Sequence, residues 1–233
     1  MLIQESIKQV RANIEAACRR VGRDPSEVTL ICVSKTKPDE AVMEAYDAGE
    51  RIFGENKVQE LTGKLERLPK DIHWHLIGHL QRNKVKYIVG KVDLIHSVDS
   101  FRLAEEINIR AKKEGIIQPI LIEVNIGEEE TKFGVRAEDA KELVRAVSQL
   151  DALAVSGIMC IAPYVVDAEE NRSFFHKIKD LSIDIESEKL HNVHMSILSI
   201  GMTNDYEIAI EEGSTMVRVG TAIFGERSYN KGV

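Results

Sequence analysis

Residues 28–56 read VTLICVSKTKPDEAVMEAYDAGERIFGEN, and the division of this stretch decides the fold. Thr29 to Val33 is β-rich and uncharged, the mark of a buried strand. Pro38 suits a first helical turn. Ala41, Val42, Ala45 and Tyr46 then form an apolar stripe, and Gly49 suits the stop. RIFGEN, residues 51–56, reads as a second strand. Strand, helix and strand in that order make a crossover unit whose strands run parallel. The first strand delivers a lysine, Lys35. Either it has left the core for water, as most lysines do, or it stands at a site mouth as a nucleophile.

The alternation continues through the chain. Further strand-like runs are IHWHLIGHL (72–80), VDLIHSV (92–98), PILIEVNI (119–126), AVSGIMCIA (154–162), HMSILSIG (194–201) and MVRVGTAIFG (216–225). With VTLICVSK and RIFGEN they make eight. Val135, Leu143, Val144, Val147 and Leu150 form one intervening helical stripe; Phe174, Phe175, Ile178 and Leu181 form another. Ahead of the first strand, Ile3, Ile7, Val10, Ile14, Cys18 and Val21 recur at helical spacing until Gly22. Eight such units in 233 residues predict one α/β domain over residues 1–233. Its architecture is a (β/α)8 TIM barrel with an extra N-terminal helix. A doubly wound open sheet is the alternative.

Composition narrows the function class. A net charge of −7 argues against a broad nucleic-acid or membrane surface. The most basic stretch, QRNKVKYIVGK (81–91), reads as a solvated helix face. Cys18, Cys32 and Cys160 sit in apolar surroundings without a C-x-x-C pair, as reduced core residues do. Glu5 and Lys8 interrupt the N-terminal apolar pattern, so it is no signal peptide, and no run approaches membrane-spanning length. The expectation is a cytoplasmic protein.

In a TIM barrel the chemistry lies at the C-terminal ends of the strands, and phosphate is often held after the seventh and eighth. The seventh run ends in Ser199-Ile200-Gly201-Met202-Thr203, before a short helix in NDYEIAIEEG. The eighth carries Arg218-Val219-Gly220-Thr221. Hydroxyls and open backbone at both places suit a phosphate cup. Met216, Arg218 and Gly220 share one strand face. A buried Arg218 needs a partner, either an acidic neighbour such as Glu55 or Glu123, or a ligand atom. An amine, a phosphate cup and a fixed cation at one mouth fit a Schiff-base lysine with a phosphorylated aldehyde such as pyridoxal phosphate. His73 and His75 alternate on one strand, yet no ligand-spaced cluster accompanies them as zinc requires. His79, His96 and His194 read as hydrogen-bonded residues at strand ends. Lys132 follows the fifth strand and reads as a loop lysine or a contributor to the mouth. No G-x-S-x-G, Walker A or G-x-G-x-x-G motif occurs.

VSKTKP, FGENKVQE, HWHLIGHLQRNK, IHSVDS, EVNIGEEETKFG, GIMCIAP and LSIGMTNDYEIAIEEGSTMVRVGTAIFG run in order through nearly the whole chain. Together they resemble the pyridoxal-phosphate homeostasis proteins, which are similar to the N-terminal barrel of alanine racemase. The resemblance implies that Lys35 carries the cofactor as an internal aldimine. It implies that Ser199, Gly201, Gly220 and Thr221, with Thr203, hold the phosphate, that Arg218 faces the pyridine nitrogen, and that Asn56 lies near the ring. It further implies a monomer that controls free cofactor and influences amino-acid and keto-acid pools, with pyridoxal-phosphate-dependent apoenzymes as candidate recipients. Ile200 and Thr203 depart from the usual Met and Ser, and both keep the chemistry.

A pyridoxal-phosphate-dependent amino-acid racemase is the alternative function. Racemisation by the alanine racemase route needs a second base, a tyrosine from a second domain of the partner subunit. The chain ends at SYNKGV, eight residues after the eighth run, so that domain is not expected; Tyr229 is the only tyrosine near the sequence end. A phosphosugar barrel with Lys35 as an aldolase-type nucleophile is a third reading.

Overall fold

The computed structural model describes residues 2–127, 129 and 132–226. The strands are β1 (Thr29–Val33), β2 (Ile52–Glu55), β3 (His73–Leu76), β4 (Leu94–Val98), β5 (Gln118–Asn125), β6 (Val135–Arg136), β7 (Leu153–Cys160), β8 (Val193–Met202) and β9 (Met216–Val219). All pair in parallel. The order runs β4-β3-β2-β1-β9-β8-β7-β5, and β4 also pairs with β5. That last pairing closes the sheet into an eight-stranded barrel and removes the open-sheet alternative. The two-residue β6 only extends the end of β5.

The helices are α1 (Ile3–Arg20), α2 (Asp39–Asp47), α3 (Val58–Arg67), α4 (Phe101–Glu114), α5 (Ala140–Val147), α6 (Arg172–Ser187), α7 (Tyr206–Glu211) and α8 (Thr221–Phe224). The extra helix α1 buries Ile7, Val10, Ile14, Ala17 and Cys18 and packs on α2, α7 and α8. It thus braces the elements that follow β1, β8 and β9. Among the described residues no helix is long and apolar enough to cross a membrane.

Three sequence expectations need correction. The eighth run stops being strand at Val219, and Thr221–Phe224 is helical. Val135 belongs to β6, not to the stripe of α5. The basic stretch forms a 3₁₀ helix over Arg82–Tyr87, with Val85 buried.

Alternation along the strands sorts side chains into two layers. Leu30, Cys32, Phe53, Trp74, Ile95, Ile122, Ile158, Leu198, Val217 and Val219 join the large core between sheet and helices. Ile31, Val33 and Ile77 form one smaller cluster, and Leu94, Leu121 and Met159 another, both inside the barrel. The same parity brings His75, His96, Glu123, Ser199 and Arg218 inward. At β2 it sends Ile52 inward and Glu55 outward, toward α3. The three cysteines are buried and free; burial pushes the Cys160 thiol up to about 12.

Candidate active site

Lys35 lies two residues beyond β1, on the parity of Ile31 and Val33, so its side chain enters the barrel mouth. It lines a cavity of about 490 Å³ together with Asn56, Lys132, Thr203, Arg218, Gly220 and Thr221. Val33, Ile77 and residues 161–165 complete much of the wall. Six of the eight residues singled out from the sequence therefore meet at one cavity. Ser199 and Gly201 do not line it.

Ser199 lies underneath. Arg218 Nη1 donates to Ser199 Oγ at 2.7 Å and to the Ser199 carbonyl at 2.5 Å, while Nη2 donates to the Cys160 carbonyl at 2.8 Å. Neither carboxylate suggested from the sequence takes the ion-pair role. Glu55 is on the opposite face of its strand and pairs with Lys64 at 2.7 Å. Glu123 shares the barrel interior but forms no ion pair with Arg218 among the described residues. Arg218 is 4% exposed. Burial lowers its proton affinity, and Cys160, Glu123 and Asp205 oppose that effect. An arginine so held remains a cation.

The hydroxyl of Ser199 continues the chain inward. Its Oγ lies 3.0 Å from His96 Nδ1, and His96 Nε2 lies 3.0 Å from His75 Nδ1. Ser199 Oγ keeps a lone pair and a hydrogen beside the bond it accepts from Arg218, so it can pair with either neutral tautomer of His96. The His96–His75 contact needs one proton between the two facing nitrogens, which neutral rings supply. Burial lowers His96 well below its ordinary value, with His75 and Arg218 adding to the effect. Burial pulls His75 down to about 4. Among the described residues no group of three or more His, Cys, Asp or Glu side chains is placed to hold a metal. His73 instead lies 3.3 Å from Asp93, and His79 lies 3.7 Å from Asp99.

Gly201 serves the loop after β8. Its φ is +86°, and a Cβ there would stand 2.5 Å from Ala209 Cβ and 2.9 Å from Tyr206 Cα. Only glycine lets this loop pass so close to α7. Asp205 then fixes the loop, accepting from the Met202 N–H at 2.7 Å and from Asn171 Nδ2 at 2.8 Å. Thr203 is presented from it, and Thr203 Oγ1 accepts from the Gly220 N–H at 3.4 Å. The phosphate-cup candidates on β8 and β9 are thus adjacent.

Two contributors, Lys37 and Lys64, were not foreseen. Lys37 Nζ donates to the carbonyls of Phe224, Gly225 and Glu226 at 2.8–3.0 Å, which ties the end of α8 to the loop after β1. Lys64, 2% exposed, donates to the Ser34 carbonyl at 2.8 Å, beside Lys35. Lys132, read as a loop lysine or a contributor to the mouth, does line the cavity; it donates to Glu129 Oε1 at 2.6 Å. Tyr229 lies outside the described residues.

The chain matches the family model described as alanine racemase, N-terminal domain, over residues 6–228. It is 47% identical over 226 residues to the pyridoxal phosphate homeostasis protein of Aquifex aeolicus (strain VF5), covering 97% of this chain and 98% of that one. The chain belongs to the pyridoxal phosphate homeostasis protein family. The family member from Escherichia coli (strain K12) is 41% identical and is covered to 98%, as is this chain. Among solved structures, PipY of Synechococcus elongatus PCC7942 with PLP bound is similar with a TM-score of 0.82 at 34% identity, covering 96% of this chain and 100% of that one.

Proposed function

We propose that this protein holds pyridoxal 5'-phosphate in the cavity at the barrel mouth and serves intracellular homeostasis of that cofactor. The observation that carries the reading is the convergence of Lys35, Arg218, Thr203, Gly220 and Thr221 on one cavity of about 490 Å³. The donor set fits the group. A primary amine meets an aldehyde, a permanent cation meets a ring nitrogen, and hydroxyls with open backbone meet a phosphate. PipY, a relative of similar fold, has been solved with PLP bound.

In this reading Lys35 would supply the amine that condenses with the cofactor's aldehyde, with loss of water. Arg218 would face the pyridine nitrogen, Asn56 would lie near the ring, and Thr203, Gly220 and Thr221 would hold the phosphate. Ser199 and Gly201, assigned to the phosphate by resemblance, act from beneath it: Ser199 by fixing Arg218, Gly201 by shaping the loop that carries Thr203. When bound, the cofactor supplies an aldehyde electrophile and an electron sink. Arg218 stays protonated, so a ring nitrogen facing it would stay without a proton, and such a ring would be the weaker sink. That favours storage and slow exchange with amino acids over turnover. The protein would act as a cytoplasmic monomer, pass cofactor to dependent apoenzymes and so influence amino-acid and keto-acid balance.

The test is titration of the purified protein with pyridoxal phosphate, followed by visible absorption and by retention through gel filtration. Stoichiometric, retained, coloured protein is expected. Colourless protein with no retained phosphate would remove the reading.

A further inference from the structure

Lys35 is fastened from behind. Its two flanking peptide groups both end on side chains of α3. The Ser34 carbonyl, on one side, accepts from Lys64 Nζ at 2.8 Å; the Thr36 N–H, on the other, donates to Glu60 Oε1 at 2.7 Å. Lys64 also donates to Glu60 at 2.9 Å and to Glu55 at 2.7 Å, and Ser34 Oγ donates to Glu55 at 2.6 Å. The three ammonium hydrogens therefore have three acceptors.

This network is unusual for a helix lysine. Lys64 and Glu55 are essentially without solvent exposure, at 2% and 0%. An apolar pair of similar volume would fill the space at least as favourably, because two charges must shed their water. What an ammonium adds is direction: it fixes a carbonyl oxygen in space. The turn it fixes does not sit in an ordinary conformation. Thr36 has φ +64°, a left-handed value that a β-branched residue rarely takes and that neighbouring contacts must maintain.

We propose that Lys64 and Glu60 are positioning residues for Lys35, setting the direction in which its amine enters the cavity. The proposal rests on the reading of Lys35 as the attachment point. Its logic is that of preorganisation, in which remote contacts hold a reacting group in place before the ligand arrives. Because α3 follows β2 and the Asn56 loop, the same clamp links the Lys35 turn to Asn56.

The test uses Glu60→Ala, which removes the acceptor of the Thr36 N–H at a side chain that is 23% exposed and whose loss the fold should tolerate, and the paired Glu55→Gln/Lys64→Met, which removes the buried charges together. Folding is checked by thermal melting. Reaction of Lys35 with an acylating reagent is then mapped by peptide mass across pH in protein stripped of cofactor, with exposed Lys8 as internal reference. Pyridoxal phosphate binding is measured separately. In folded variants the Lys35 acylation profile should move toward that of Lys8, and cofactor affinity should fall roughly tenfold as preorganisation of the amine is lost. Unchanged Lys35 reactivity and unchanged affinity in folded Glu60→Ala would overturn the proposal. If wild type binds no cofactor while Lys35 reactivity still shifts in the variants, the clamp stands and the site reading fails.

Discussion

Arg218 on β9 is held by Ser199 on β8 through two hydrogen bonds, one to the carbonyl at 2.5 Å and one to the hydroxyl at 2.7 Å. The cation at the cavity floor is thus oriented by its neighbouring strand, and the hydroxyl passes the polarity on to His96 and His75 in the barrel interior. A buried charge is tolerated here because carbonyls, a hydroxyl and two neutral rings surround it, not because a carboxylate cancels it.

Ser199→Ala should therefore alter a site whose wall it does not touch. It leaves His96 Nδ1 and one Arg218 N–H without their partner, at a cost of about 1–3 kcal/mol. Denaturant unfolding should show that loss, and cofactor retention should weaken with it. Full stability and full retention would mean that Ser199 is only filler.

Arg218→Ala and Lys35→Ala should separate two roles. Lys35→Ala loses the covalent attachment yet keeps weak binding through the phosphate. Arg218→Ala keeps the attachment and loses retention by roughly tenfold or more, equivalent to about 1.4 kcal/mol. Reduction trapping paired with dialysis measures both. Equal occupancy and equal retention in the two variants would contradict the division.

Two interior groups should give opposite pH signatures. Burial holds His75 at about 4 against an ordinary 6.5. Its neutral ring contributes stability that is complete above 6.5 and is lost as pH falls through about 4. The contribution is on the order of 3 kcal/mol, at about 1.4 kcal/mol per tenfold change in proton affinity. Burial, with Asp99, raises Glu123 from 4.5 to about 7, so its neutral carboxyl contributes below 4.5 and is lost as pH rises through about 7. Relative to wild type, His75→Gln should gain stability on acidification and Glu123→Gln should gain it on alkalinisation. Urea midpoints across that pH range measure the slopes; matching slopes in both variants would refute the assignment.

Gly78→Ala should damage the site from a distance. A Cβ there would meet the Asn56 carbonyl at 2.5 Å and Asn56 Cα at 2.7 Å. Both are backbone, so Asn56 must move, at a cost of about 1–3 kcal/mol. Calorimetry should record the loss, and the proposed placement of Asn56 beside the ring predicts a shift in the absorption of bound cofactor.

Much of this was legible in the sequence for identifiable reasons. The alternation of strand and helix signals gave eight strands, and their two-residue period put Met216, Arg218 and Gly220 on one face, while Lys35 was placed at the mouth only by the company of the other candidates. The same period could have excluded Glu55 as Arg218's partner, because Phe53 and Glu55 share the outward face. Lys64 was hidden by its type, since lysine ordinarily reads as solvent-exposed; its one signal was Glu60 at the i,i+4 spacing. Thr221 begins a helix inside an apolar run; Gly220, directly after Val219, was the break signal, and it was read as open backbone within the strand run. Ser199 looked like a ligand because it carries a hydroxyl near a strand end, but burial and its neighbours give that hydroxyl to Arg218 and His96.

The central claim, that the amine of Lys35 is the attachment point, is tested most directly by borohydride reduction of the protein saturated with pyridoxal phosphate, followed by digestion and peptide mass mapping. The account predicts a reduced pyridoxyl-phosphate adduct on Lys35, absent from the Lys35→Ala protein. An adduct confined to other lysines, or none at all, would contradict it.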